Sequence, residues 1–132
     1  MARVVALVDD LFFQAKMLET AKHVGVELVC VATGEALAEQ ARQNPPALIV
    51  IDLNARCGGV EALERLAPGN QLPVIAFLSH VQVELAERAR RAGCREVMPR
   101  SKFTQNLANI FLQAKAQDAQ TIAQPETPSE KD

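Results

Sequence analysis

Five short apolar runs alternate with five segments of helical period along the chain: Val4–Val8, Glu27–Val31, Ala47–Ile51, Val74–Leu78 and Glu96–Met98 are the runs. The first, third and fourth are nearly unbroken Val, Ile, Leu and Ala, which is how strands buried on both faces of a parallel sheet read. The second and fifth are more polar and suit positions nearer a sheet edge. Between them, Leu11–Val24 sets Phe13, Met17, Ala21 and Val24 on one helical stripe. Thr33–Asn44 opens on a residue that caps helices and stops at Pro45-Pro46, because proline cannot continue a helix. Val60–Leu66 is short and ends before Pro68-Gly69. Val81–Ala92 turns Leu85 and Ala89 inward, and Gly93 suits the left-handed position after a helix. Ser101–Ala116 carries Phe103, Leu107, Ile110, Phe111 and Ala114 on one face.

Strict strand–helix alternation implies right-handed crossovers and a parallel sheet. The predicted fold is α/β, a doubly wound five-stranded parallel sheet of flavodoxin-like order 2-1-3-4-5. The predicted domain covers residues 1–116. Residues 117–132 turn to Gln, Pro, Thr, Ser, Glu and Lys without apolar anchors, and a disordered tail is expected there.

Composition narrows the function. A length of 132 residues with 48% apolar residues suits one domain with a full core. A net charge of −2 gives no basic field for nucleic acid or an anionic membrane. Aromatics at 4% are too few for a base-stacking platform. No apolar run approaches the ~20 residues of a membrane span. The run after Met1 is broken by Asp9-Asp10 with no cleavage pattern following, so a cytoplasmic location is expected. Cys30, Cys57 and Cys94 are odd in number and far apart, and read as reduced thiols rather than a disulfide framework or zinc site. His23 and His80 read as surface residues, His80 lying close to the face where ligands bind.

In an open α/β sheet, ligands bind beyond the carboxyl ends of the strands. Asp9-Asp10 follows the first strand and Asp52-Leu53-Asn54 the third, and these two strands are neighbours in the expected order. An acidic pair after a strand is by itself an ordinary helix cap. A third Asp placed beside it makes three converging carboxylates, which repel one another unless a cation joins them. Carboxylates, a carbonyl and retained waters describe a Mg²⁺ site. The turn Val8-Asp9-Asp10-Leu11 has no glycines, which counts against a nucleotide-phosphate loop.

Val8-Asp9-Asp10, Ile49-Val50-Ile51-Asp52-Leu53-Asn54, Leu72-Pro73-Val74-Ile75-Ala76-Phe77 and Arg91-Ala92-Gly93-Cys94 together resemble the receiver domains of two-component response regulators, over residues 3 to about 116. The resemblance implies that Asp52 accepts a phosphoryl group from a sensor histidine kinase or phosphotransfer protein. It implies Mg²⁺ on Asp10 and Asp52, with Asp9 acting through water and the backbone carbonyl of Asn54 completing the ligands. It implies no enzyme beyond self-catalysed phosphoryl transfer and acyl-phosphate hydrolysis. Output would be a protein contact through the face of the fourth helix, fifth strand and fifth helix, where Glu87, Arg88, Arg91, Arg95 and Lys102 are the expected contacts. A homodimer is compatible with it.

The chain departs from the family at several points. Leu78 stands where the family has a Thr or Ser that binds the phosphoryl group; Ser79, one residue on, is the candidate substitute. Arg100 stands in place of the family Lys and Ser101 in place of the following Pro, while Val97 replaces a frequent aromatic. The loop from Asp52 to Gly59 is one residue shorter than usual and lacks the common Pro. The sequence therefore supports a phosphorelay receiver, standing alone or taken from a larger chain. The alternative is a pseudo-receiver that docks or dimerises without phosphorylation. A metal-dependent phosphohydrolase is the more distant reading, since no base beyond the three acids is evident.

Overall fold

Strand alternation divides the apolar side chains into two cores, one on each face of a single sheet. The computed structural model describes residues 1–79 and 82–123. Its elements are β1 (Arg3–Leu7), α1 (Leu11–Val24), β2 (Glu27–Val31), α2 (Gly34–Gln43), β3 (Leu48–Asp52), α3 (Gly59–Leu66), β4 (Val74–Leu78), α4 (Val83–Arg91), β5 (Glu96–Pro99), α5 (Arg100–Gln105) and α6 (Leu107–Ala123). All strand pairs are parallel, in the order β2-β1-β3-β4-β5. Both the fold class and the strand order agree with the reading of the sequence.

On one face Val4, Ala6, Val50, Ile75 and Phe77 pack against α1, α5 and α6 through Phe13, Met17, Phe103 and Phe111. On the other, Val5, Leu7, Ile49, Ile51, Ala76 and Leu78 pack against α2, α3 and α4 through Leu37, Leu63 and Ala89. β3 and β4 are wholly buried and β1 is buried after Arg3, as their apolar runs require, whereas β2 is half-buried and β5 is partly exposed. The same period of two places Phe77 and Leu78 on opposite faces, although they are adjacent in sequence.

The end of the chain differs from expectation. The helix foreseen over Ser101–Ala116 is two segments that meet at Asn106, the first beginning at Arg100 because Pro99 ends β5 and occupies the N-cap position. The second segment runs to Ala123, so residues 117–123 are helical rather than part of a disordered tail. Their Ala and Gln residues are compatible with a helix already nucleated upstream. The remainder of the expected tail, 124–132, and the site-proximal His80 lie outside the described residues.

One backbone approach positions the site. Gly58 has φ +91°, and a Cβ on the next residue, Gly59, would sit 2.2 Å from the carbonyl oxygen of Asp52 and 2.8 Å from the Cα of Leu53. The start of α3 therefore rests directly on the end of β3, and no side chain fits between them. Gly59→Ala is expected to destabilise the domain by roughly 3 kcal/mol or more, because the clash is with backbone that cannot move aside. Urea denaturation of the variant beside the parent protein measures this. A cost below about 1 kcal/mol would show that the approach is looser.

Candidate functional site

The two acids after β1 perform different local tasks. Asp10 caps α1: its Oδ1 accepts from the N–H groups of Phe12 at 3.0 Å and Phe13 at 3.2 Å. Asp9 reaches the β3–α3 loop, where its Oδ2 accepts from the N–H of Arg56 at 2.8 Å. Gln14, one turn into α1, donates from Nε2 to the carbonyl of Val8 at 2.5 Å and ties the strand end to the helix.

Asp52 is the last residue of β3 and, among the described residues, the one buried polar or charged side chain, at 3% exposure. Its Oδ1 accepts from the N–H of Asn54 at 2.8 Å, a turn that curls the loop back over the carboxylate. Asn54 continues the frame with its side chain: Oδ1 accepts from the N–H of Ser79 at 2.7 Å and Nδ2 donates to Gln82 Oε1 at 3.0 Å. The loops after β3 and β4 are thereby fastened together. Sequence reasoning gave Asn54 only a carbonyl role and missed this bridge, which no local pattern signals.

Arg100, the first residue of α5, closes the pocket. Its Nη1 lies 3.2 Å from Asp10 Oδ2 and its Nη2 3.5 Å from Asp52 Oδ2. The guanidinium carbon sits 4.7 Å from the centre of the Phe13 ring and 5.6 Å from that of Phe77. Phe13 meets Phe77 edge-on at 5.2 Å, and Phe77 stacks on Phe103 at 4.6 Å, so the rings form a fixed aromatic floor. Phe13 and Phe77 were legible as core residues but not as partners of an arginine.

The electrostatics follow from these contacts. Burial pushes the Asp52 carboxyl above its ordinary range, reinforced by the charges of Asp9 and Asp10; the Asn54 N–H and Arg100 oppose the rise. Asp10 is held below its ordinary range, mainly by the Phe13 N–H and then by Arg100. Of the cysteines, burial pushes the Cys30 thiol up to about 11 and also raises Cys94, while Cys57 is exposed. His23 pairs with Glu19 on the exposed face of α1, away from the pocket.

The sequence-derived site residues are thus partly assembled. Asp10, Asp52 and Arg100 come together directly, with Asp9 and Asn54 at the rim. Asp10 and Asp52, the residues expected to hold Mg²⁺, both face Arg100. Among the described residues, no three His, Cys, Asp or Glu side chains gather as a metal-holding group, and the cation between Asp10 and Asp52 is the Arg100 guanidinium. Leu78 is buried on the opposite face of the sheet. Ser79 is exposed; its backbone N–H is used by Asn54, and its hydroxyl makes no hydrogen bond among the described residues. Arg88, expected on the output face, instead pairs with Glu64 at 2.7 Å and Glu61 at 3.6 Å on α3, and Arg91 borders the same α3–α4 notch. Helical spacing carries both residues to the side of α4 that faces α3.

Solved structures with this fold include a response regulator receiver protein from Pseudoalteromonas atlantica, with a TM-score of 0.75 and 20% identity over 86% of this chain and 97% of that one. A CheY-like receiver domain protein from Methanospirillum hungatei gives 0.74 and 18% over 91% and 98%. The fold is that of response-regulator receiver domains. In sequence the chain is similar to the transcriptional regulatory protein PdtaR of Mycobacterium tuberculosis, 29% identical over 93 residues, which are 69% of this chain and 45% of that protein. The chain therefore spans about half the length of the curated relatives it matches. No protein-family model matches it. No described helix is long and apolar enough to cross a membrane.

The raised carboxyl of Asp52 has a measurable consequence. Asp52 binds its proton more tightly in the folded than in the unfolded chain, so its ionised form costs stability above the ordinary value of 3.8, and that cost is relieved as pH falls through the raised folded value. Asp52→Asn is expected to raise the melting temperature at neutral pH by about 3–6 °C, with the gain disappearing as pH approaches 3.8. Thermal melts across this range measure it. A lower melting temperature at neutral pH would mean that the ion pair with Arg100 outweighs the burial of the charge.

Proposed function

We propose that the chain is a cytoplasmic receiver module of two-component signalling, with Asp52 as its phosphoacceptor and a sensor histidine kinase or phosphotransfer protein as donor. The observation that carries this reading is Asp52 itself: a carboxylate at the carboxyl end of the third strand of a receiver fold, beside Asp9 and Asp10 and touched by a cationic side chain. In the transfer, an Asp52 carboxylate oxygen attacks the phosphorus of a phosphohistidine. The N–P bond breaks, its electron pair stays on the imidazole, which takes up a proton, and an acyl phosphate forms on Asp52. Little covalent chemistry is asked of the protein beyond positioning and charge stabilisation. Arg100 supplies positive charge at the phosphoryl oxygens, and the Asn54 N–H orients the nucleophile.

Output is a protein contact on the side of α4 and β5. Leu78, Ala86, Val97 and Met98 help to line a cavity of about 190 Å³ there. Leu78 links this cavity to the end of β4, so a change at the pocket has a short route to it through β4. A second reading, a pseudo-receiver that docks without phosphorylation, is favoured by the burial of Leu78 where a hydroxyl is expected and by the hold of Arg100 on Asp52.

Receiver domains typically bind Mg²⁺, so the test is intact-protein mass spectrometry after incubation with a small phosphodonor, with and without Mg²⁺, and with a phosphorylated histidine phosphotransfer domain as a second donor. One phosphoryl group on the parent protein and none on Asp52→Asn is the expected result. No addition from either donor on folded protein would overturn the phosphoacceptor reading in favour of the docking module.

A further inference from the structure

We propose that Arg100 is a built-in counter-cation whose guanidinium holds the place a divalent cation would take between Asp10 and Asp52, so that cation binding and the docked position of Arg100 exclude each other. The competition is for the same atoms. Asp10 Oδ2 and Asp52 Oδ2 face the guanidinium, while Asp10 Oδ1 serves the start of α1 and Asp52 Oδ1 serves the Asn54 N–H. All four oxygens of the pair already meet donors. Mg²⁺ requires oxygens at about 2.0–2.1 Å in near-octahedral geometry. A dication on those oxygens would lie within a few ångströms of the guanidinium and repel it strongly.

Arg100 is also held from beneath, not by charge alone. The Phe13 and Phe77 rings flank its guanidinium, and Phe103 stacks behind Phe77. A planar guanidinium can lie on such a floor while reaching two carboxylates; an ammonium has neither the plane nor the span. The docked position carries a cost, because Arg100 Nε is buried without a hydrogen-bond partner. Release would hydrate that N–H. Docked and released positions therefore form a two-state element, and a cation that binds only the released form is coupled negatively to docking. Receptivity of the pocket to a divalent ion is set by how firmly the aromatic floor holds Arg100.

The test is titration with Mn²⁺, a hard dication visible by electron paramagnetic resonance, on the full chain without any phosphodonor. It is thus independent of whether Asp52 accepts phosphate. Arg100→Gln is expected to bind Mn²⁺ at least about tenfold more tightly than the parent, and Arg100→Lys to fall between them. Phe13→Leu keeps every charge and loosens only the floor; it is expected to tighten Mn²⁺ by about threefold. Adding Asp52→Asn to each variant should abolish the gain. Far-UV circular dichroism confirms folding, and if Arg100→Gln does not fold, Phe13→Leu and Arg100→Lys decide. Equal or weaker Mn²⁺ binding in the folded variants, or a gain that survives Asp52→Asn, would overturn the proposal.

Discussion

A carboxylate at the end of a central parallel strand is buried by the fold that places it there. β3 lies between β1 and β4, with helices over both faces, so Asp52 is withdrawn from water as soon as the sheet forms. The same topology brings Asp9 and Asp10 alongside. A buried anion with two anionic neighbours must be protonated, paired or bound to a cation. In this chain the pairing falls to Arg100, which follows the carboxyl end of β5 and reaches past β4 to β3. Several neighbouring features serve that contact: the Asn54 turn that orients the carboxylate, the aromatic floor under the guanidinium, and the Gly58-Gly59 approach that lets α3 begin at the end of β3.

The sheet also sends neighbouring residues of β4 into two different environments. Phe77 faces the Arg100 side and Leu78 the α4 side, because adjacent strand residues point oppositely. Phe77 lies against the Arg100 guanidinium, while Leu78 borders a cavity with Val97. Leu78 and Val97 make this side of the sheet an apolar packing surface.

The fold was legible because its signals are periodic. The three buried strands declare themselves as unbroken apolar runs, Thr33 and Pro45-Pro46 bound α2, and alternation alone gives the parallel order. The acids of the site were legible because they follow strands whose ends must meet. What the sequence hid depends on distance in space. No pattern links Arg100 to Phe13, whose rings and charges meet only after the sheet closes. Asn54 looked like a carbonyl donor because its side-chain partners, Ser79 and Gln82, lie on another loop. Gly59 read only as the end of the loop after Asp52, since the atom it must avoid belongs to β3. The last helix ran past its expected end because Ala and Gln continue a helix that tertiary packing has already begun.

The docked guanidinium is open to direct observation through its own buried proton. In ¹H–¹⁵N spectra at neutral pH, the Arg100 Nε–H, assigned by its loss in Arg100→Gln, should give a resolved signal that exchanges far more slowly than that of Arg56, whose side chain is 91% exposed. It should shift on Asp52→Asn. An Arg100 signal that exchanges as fast as that of Arg56, and is indifferent to Asp52, would contradict the account: the guanidinium would then be free in solvent, and Asp10 and Asp52 would lack their internal cation.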